Sequence, residues 1–163
     1  MARRVFFSFH YTNDSWRVSQ IRNSWVCKPE GDAQPFLDKA EWEQIKRKGK
    51  QAIKDWIDEQ MKGCGVTCVL IGEQTSQRPW VKYEIEKSHN EGRGLFGIYI
   101  DGMLDQSKAR GLKGVNPFDN FYIERNGKEV LLSEIYPVYH WINDNGRENI
   151  SKWIEKAAKA AGR

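Results

Sequence analysis

An α/β fold, a doubly wound parallel sheet of five strands with helices on both faces, is what this sequence predicts, and three observations carry it. Short apolar runs alternate with longer stretches whose apolar residues recur at helical spacing. Val66-Thr67-Cys68-Val69-Leu70-Ile71 is continuously apolar and bounded by Gly65 and Gly72, the pattern of a strand buried on both faces in a parallel sheet. The strand-helix-strand rhythm that parallel pairing requires persists through most of the chain.

Taken in order, Arg4-Val5-Phe6-Phe7-Ser8-Phe9 is rich in aromatic and branched residues and is followed by Thr12, Asn13 and Asp14, which makes it the first strand. From a cap at Asp14 or Ser15, Val18, Ile21 and Trp25 fall on one face of a helix, and Trp16 and Trp25 are read as packing residues. Past Pro29-Glu30-Gly31, the short run Pro35-Phe36-Leu37-Asp38 is placed as the second strand, ending on a carboxylate. Ala40 to Lys62 reads as helix with Ile53, Trp56, Ile57 and Met61 as its apolar stripe, Gly49 as a break and Gly63 as the stop.

Val66 to Ile71 is the central strand. A polar loop, Gly72 to Gln77, leads to a helix with Pro79 in its first turn, Val81, Ile85 and Ser88 against the sheet, and Gly92 at its end. Leu95 to Ile100 is the next strand. Residues 101 to 135 break the rhythm, and Asn126-Gly127 between two β-prone runs signals an inserted hairpin at about 119–133. Tyr136 to Ile142 is the last sheet strand, and Ile150, Trp153, Ile154, Ala157 and Ala161 stripe a final helix. This order fits one domain over 1–163 with the flavodoxin-like strand order 2-1-3-4-5. In that order ligands bind at the carboxyl ends of strands one and three, where the winding reverses. Ser8 to Tyr11 and Gly72 to Glu84 are therefore the segments in which to look for a site.

Composition narrows the function. The net charge of +4 is spread over both signs without long like-charged blocks, which argues for no nucleic-acid partner and is compatible with holding a pyrophosphate. The longest apolar stretch, Val66 to Gly72, is too short to span a bilayer, and Met1-Ala2-Arg3-Arg4 leads straight into strand residues, so a cytoplasmic protein without a membrane partner is expected. Cys27, Cys64 and Cys68 lack a histidine at zinc-site spacing and are read as reduced thiols, with no metal. His89 and His140 are read as structural.

Glu84 lies four residues after Trp80, so the two side chains project from one face of their helix, at the border of the buried stripe. A helical glutamate is ordinarily solvated, as Glu86 is expected to be; one that faces the cleft is a candidate catalytic carboxylate.

Val5-Phe6-Phe7-Ser8-Phe9 resembles the opening strand of TIR domains, and Ser76-Gln77-Arg78-Pro79-Trp80-Val81-Lys82-Tyr83-Glu84-Ile85 resembles their segment in which a serine precedes a tryptophan and the catalytic glutamate follows. More narrowly, Phe7-Ser8-Phe9-His10-Tyr11, Val66 to Gly72 and Asn116-Pro117-Phe118-Asp119 resemble the TIR-like proteins of the Thoeris antiphage defence system. The resemblance implies an enzyme that breaks the bond between nicotinamide and ribose in NAD+, with NAD+ as substrate and no separate cofactor. The ADP-ribosyl part is then captured by water or by its own hydroxyl or ring nitrogen, and Thoeris members make cyclic ADP-ribose isomers as an alarm signal.

The same resemblance makes Glu84 the catalytic residue and places Ser8, Phe9, His10, Tyr11, Asp38, Ser76 and Trp80 around the substrate. Phe9 stands where TIR enzymes present an aromatic to a ring, though a buried packing role fits it as well. His10 and Tyr11 replace the basic residues that several TIR enzymes hold against the nucleotide. Asp38 opens the loop that helps cover the site and meet a neighbouring subunit, or else caps the next helix. Trp80 packs beneath the site and positions Glu84. Self-association between TIR domains and a companion NAD-consuming effector, reached through a diffusible nucleotide, are the partners implied.

A single carboxylate suits this chemistry. Many glycosidases need two, one to protonate the leaving group; nicotinamide leaves a cationic ring as a neutral base and needs no acid. Two other functions share the fold: a non-catalytic TIR interaction module, and a nucleoside deoxyribosyltransferase-like enzyme acting on free nucleosides. A phosphorylated receiver domain is excluded, because strand one lacks the acidic pair that would bind Mg2+ and no aspartate ends strand three.

Overall fold

A computed structural model describes residues 3–26, 28, 31–33 and 39–163. In chain order it contains β1 (Arg3–Ser8), α1 (Tyr11–Val26), β2 (Gly31–Ala33), α2 (Lys39–Arg47), α3 (Lys50–Met61), β3 (Val66–Ile71), α4 (Pro79–Asn90), β4 (Gly94–Tyr99), β5 (Tyr122–Arg125), β6 (Lys128–Leu131), β7 (Val138–His140) and α5 (Gly146–Ala160).

The sheet has the order β2-β1-β3-β4-β7, with all four pairings parallel, which is the flavodoxin-like order expected from the sequence. All six residues of β3 are buried, as its unbroken apolar run requires. In register, Val5 meets Val66 and Val66 meets Gly94. An added Cβ on Gly94 would lie 2.6 Å from the Ala157 carbonyl oxygen, so glycine lets α5 pack directly on the start of β4.

Phe6, Phe7, Ile21, Trp25, Ile57, Met61, Phe96, Ile98, Ile150 and Ile154 belong to one apolar cluster. Val69, Ile71, Val81, Ile85, Leu95 and Phe118 form a second, beneath α4. Gly49 breaks the helical stretch with φ 98°, a backbone conformation cheap only for glycine. Asn126 and Gly127 both have positive φ, 52° and 76°, and turn β5 into antiparallel β6, the geometry of a two-residue hairpin loop.

Four local expectations are corrected. The first helix starts at Tyr11 rather than at Asp14 or Ser15: the His10 carbonyl already accepts from the Asp14 N–H at 2.8 Å, and Asp14 is instead a buried member of the first turn. Its carboxylate faces Arg17 at 3.4 Å, while Arg17 donates to the carbonyls of Met103 and Ala109 and so ties α1 to the loop after β4. Trp16 is 52% exposed, because the buried face of α1 runs through Tyr11, Asp14, Val18, Ile21 and Trp25 and Trp16 lies off it. On α5, Ala158 is buried where Ala161 had been placed in the stripe, since the helix ends at Ala160. The second strand is Gly31–Ala33; the segment Pro35 to Asp38 lies outside the described residues, as does Cys27.

Cys64 and Cys68 are buried thiols, and the Cys64 S–H donates to the Gln60 carbonyl at 3.5 Å. Among the described residues no helix is long and apolar enough to cross a membrane. His89 meets the Tyr136 hydroxyl through Nδ1. His140 accepts from the Ile142 and Asn143 N–H groups at Nδ1, so its Nε2 carries the proton that faces Asp101, 3.0 Å away.

Candidate active site

Three elements converge where the sheet's winding reverses. The carboxyl end of β1 delivers Ser8, Phe9 and His10 and runs directly into Tyr11, the first residue of α1. Helix α2 brings Trp42 and Lys46, and α4, entered through Arg78 and Pro79, brings Trp80 and Glu84. Together they enclose a cavity of about 120 Å³. Ligand sites commonly span about 300–1,000 Å³, so this space fits one ring-sized part of a ligand rather than the whole of one.

Glu84 occupies a position on α4 where an apolar residue would be expected, in line with buried Val81, Ile85 and Ser88. Its side chain is only 2% exposed, and what opening it has is to the cavity, whose wall it joins. The Ser8 hydroxyl donates to Glu84 Oε1 at 2.6 Å. Burial pushes the carboxyl pKa from 4.5 up to about 8, with the Ser8 hydrogen bond pulling it partly back. The folded chain therefore holds Glu84 mostly protonated at neutral pH. Burial, and then the neighbouring Glu84, also raise the Tyr11 phenol well above its ordinary range.

One side of the wall is aromatic, and Trp56 packs behind it. Tyr11 stacks on Trp42 with ring centroids 4.6 Å apart and planes 16° from parallel, Phe9 lies 4.2 Å from Tyr11, and Trp56 closes edge-on against both Tyr11 and Trp42. Rings held on several sides lose no freedom when a flat ligand ring docks against them. At the other side, His10 Nε2 lies 3.3 Å from Arg78 Nη1, and burial, then Arg78, then Lys46, lower the His10 pKa from 6.5 to about 4.

The residues singled out from the sequence take distinct places. Phe9, His10, Tyr11, Trp80 and Glu84 share the cavity wall. Ser8 is fully buried and reaches the cavity only through Glu84. Ser76 is buried in the turn before α4, away from the wall, where its carbonyl accepts from Asn120 Nδ2 at 2.9 Å. Asp38 lies outside the described residues. Trp42, Lys46 and Arg78 line the cavity without having been singled out. Arg78 stands inside the Ser76–Ile85 segment quoted above, and Trp42 and Lys46 are four apart on α2, a spacing that puts both on one helix face; that spacing was the signal available.

Volume alone would pick another place. A cavity of about 490 Å³ opens at the amino ends of β4 and β7, between α5 and the turn that precedes β7, but its carboxylate, Glu134, is exposed. A polar cavity of about 100 Å³ lies near Asp14 and Arg17. Among the described residues no group of three or more His, Cys, Asp or Glu is placed to hold a metal ion.

A flavodoxin-like sheet with a glutamate buried on the helix after the central strand, opening toward the carboxyl edge, is the arrangement that the resemblance to TIR-like domains implies. The family model for "Thoeris protein ThsB, TIR-like domain" matches residues 6–105, and the chain belongs to that family. The matched span contains every residue of the cavity wall from Phe9 to Glu84. The chain is also 34% identical over 191 residues to a protein of Bacillus cereus (strain MSX-D12) named "Putative cyclic ADP-D-ribose synthase ThsB1", a match covering 94% of this chain and 100% of the relative.

Proposed function

We propose that this protein cleaves the nicotinamide N-glycosidic bond of NAD+ in antiphage defence, with Glu84 as the catalytic carboxylate, and closes the ADP-ribosyl product into a cyclic ADP-ribose isomer. The observation that carries this reading is the placement of Glu84: a carboxyl buried among apolar neighbours, held by Ser8, with its opening into an aromatic-walled cavity. Family membership and the name of the Bacillus cereus relative support NAD+ processing.

In the reaction the bond between ribose C1′ and the nicotinamide nitrogen breaks. Its electron pair leaves with nicotinamide, which becomes neutral, and positive charge moves to the ribose as an oxocarbenium ion. Glu84 stabilises that charge as a carboxylate. Its proton departs to solvent when the cationic nicotinamide ring enters, because a positive charge beside the carboxyl favours the ionised form. In a water-poor cavity the carboxylate then acts with little screening. The ribosyl cation is captured by a hydroxyl or ring nitrogen of the same ADP-ribosyl group, which loses a proton, or by water.

Mass spectrometry of NAD+ products, in cells with and without phage and with the purified chain, tests this. Wild type should release nicotinamide together with a product isomeric with cyclic ADP-ribose, and Glu84→Gln should release neither. Turnover of free nucleosides in preference to NAD+ would assign the chain to deoxyribosyl-type transfer, and no turnover under any condition would leave an interaction module. A protein-free filtrate from infected cells that activates a separate NAD-consuming effector, and does so only with intact Glu84, would establish signalling between cytoplasmic partners over simple NAD+ depletion.

A further inference from the structure

We propose that the cavity between α5 and the turn before β7 is a second ligand site, which takes a small amphiphilic anion, an apolar body ending in one acidic group. It shares no wall residue with the Glu84 cavity. It lies at the other end of α4, which starts at Pro79 in the wall of the first cavity and ends at Asn90, two residues before Gly92 in the wall of the second. About 18 Å of helix separates them, so the inference does not depend on what Glu84 does.

The volume, about 490 Å³, is within the range of about 300–1,000 Å³ common for small-ligand sites. The packing around it keeps the space from closing. On the α5 side the wall is Ala157, Ala160 and Ala161, which have no length to fill it. The helix cannot move inward either, because the Ala157 carbonyl oxygen already lies where it would be 2.6 Å from a Cβ on Gly94. Leu95, on the same wall, is 2% exposed and is held in the apolar cluster beneath α4.

The charges around this apolar surface lack partners. Arg125 from β5 and Lys156 from α5 both belong to the wall and are exposed, and among the described residues neither makes an ion pair or a side-chain hydrogen bond. The Arg125 charge is directed at this wall, since it pulls back the pKa of the Tyr136 phenol that burial raises. The third cation, Arg93, is already used: it donates to the carbonyls of Cys64 and Met61 and pairs with Glu91. So is the wall's carboxylate, Glu134, whose Oε2 accepts the Leu131 N–H at 2.7 Å. The half-buried Ser133 hydroxyl has no partner among the described residues. Two unpaired cations and an open hydroxyl beside an apolar surface match a ligand that brings its own negative charge at one end.

A compact ligand fits better than an extended peptide. Peptides that bind through their backbone add to a free strand edge. The wall takes Gly94 and Leu95 from the start of β4 and Pro137 from just before β7, but no residue of β7, the sheet's edge strand.

Amide NMR spectra of the full chain test this, with octanoate, naphthylacetate, octanol and acetate as probes. Octanoate and naphthylacetate should shift the amides of Gly92, Gly94, Leu95, Ile135 and Ala160 saturably, and octanol and acetate should bind about tenfold more weakly or worse. Arg125→Gln and Lys156→Gln, both at exposed positions, should each weaken octanoate about threefold to tenfold, between the effect of a screened surface pair and that of a buried charged hydrogen bond. Ala160→Phe, which puts a ring into the space, should remove binding while the dispersion of the spectrum is kept.

No saturable shift of these amides by either acid overturns the site, and undiminished binding in Ala160→Phe overturns its location. Octanol binding as tightly as octanoate, or no loss in either Gln variant, overturns the anionic end. Acetate binding as tightly as octanoate overturns the apolar body. A short peptide alternating Asp and Leu that moves the same amides, where octanoate and naphthylacetate do not, overturns the small ligand in favour of a protein partner.

Discussion

Replacing Glu84 by Gln should make the protein more stable as pH rises, relative to wild type, and abolish NAD+ turnover in the same molecule. In the folded chain burial sets the Glu84 pKa at about 8, against 4.5 as its ordinary value. Between those two pH values the unfolded chain gives up the proton and the folded chain keeps it. The folded state therefore binds more protons, and by linkage its stability falls as pH rises through this window, levelling off above about 8. Each factor of ten in the ionisation constant is worth about 1.4 kcal/mol, which sets a ceiling of about 5 kcal/mol on the loss. Gln cannot ionise and accepts the Ser8 hydroxyl through its amide oxygen, so it escapes the loss.

Other groups titrate in the same range. Burial raises Asp14 to about 6, which removes stability as pH rises, while His10, lowered to about 4, adds stability up to its unfolded value. Both are present in wild type and variant alike, so the difference between the two proteins isolates Glu84. Urea unfolding at pH 5, 6, 7 and 8 is the assay. If relaxation around the carboxylate halves the ceiling, about 2 kcal/mol remains, a midpoint gap of about 1 M between the proteins at pH 8 for a slope of about 2 kcal/mol per M. The gap should be small at pH 5 and grow steadily. A gap that is flat from pH 5 to 8 would show that Glu84 is not protonated in the folded chain, and would remove the physical basis for its special reactivity.

Three further outcomes are expected. In NAD+ kinetics kcat/KM, which reports the free enzyme, should rise up to pH about 8, while kcat, which reports the complex, should level off at lower pH because the bound cationic ring favours the carboxylate; Ser8→Ala removes the 2.6 Å hydrogen bond that favours ionisation and should move the kcat/KM limb to still higher pH. Gly94→Ala places a Cβ 2.6 Å from the Ala157 carbonyl oxygen, and the backbone shift it forces should cost about 1–3 kcal/mol in urea unfolding. Arg17→Ala leaves Asp14 buried beside Asn13 alone and opens two carbonyl partners in the 103–109 loop, a loss of about 3–5 kcal/mol at pH 7 that should shrink below pH 6 as Asp14 takes up its proton.

The frame of this fold was legible because backbone demands are local. An unbroken apolar run identified β3, Gly49 identified the break between α2 and α3, and Asn126-Gly127 identified the hairpin turn. The site was legible only in part, because its members meet through tertiary structure. Helical spacing and family resemblance led to Glu84, but the partner that holds it, Ser8, lies 76 residues away, and the contact of Arg78 with His10 spans 68. Trp42 belongs to a helix that is polar over most of its length, where a lone tryptophan carries no label for the ring it will stack on. Asp14 misled for a related reason. As a short polar residue near a helix start it reads as a cap, yet its role depends on Arg17 and on a loop some 90 residues further on, which covers α1 with backbone carbonyls.

Why the carboxylate is on α4 follows from what the rest of that helix does. Val81, Ile85 and Ser88 are each at most 1% exposed, and the Ser88 hydroxyl is hydrogen bonded to Thr67 of β3 at 2.7 Å. These contacts clamp the helix on the sheet on either side of Glu84 along the chain. A carboxyl placed in such a stripe is a local conflict between sequence pattern and chemistry, and such conflicts persist where the surrounding structure holds them in place. Here the holding is done by the apolar cluster beneath α4 and by Ser8 at the end of β1. In the proposed reaction the destabilising burial of Glu84 and its action on a developing cation are one property. The low polarity that keeps the proton on Glu84 is, in that reaction, the same low polarity that would leave the ionised carboxylate unscreened beside a cationic ring. Two positions further along α4, Glu86 faces solvent, and neither part of that property would survive there.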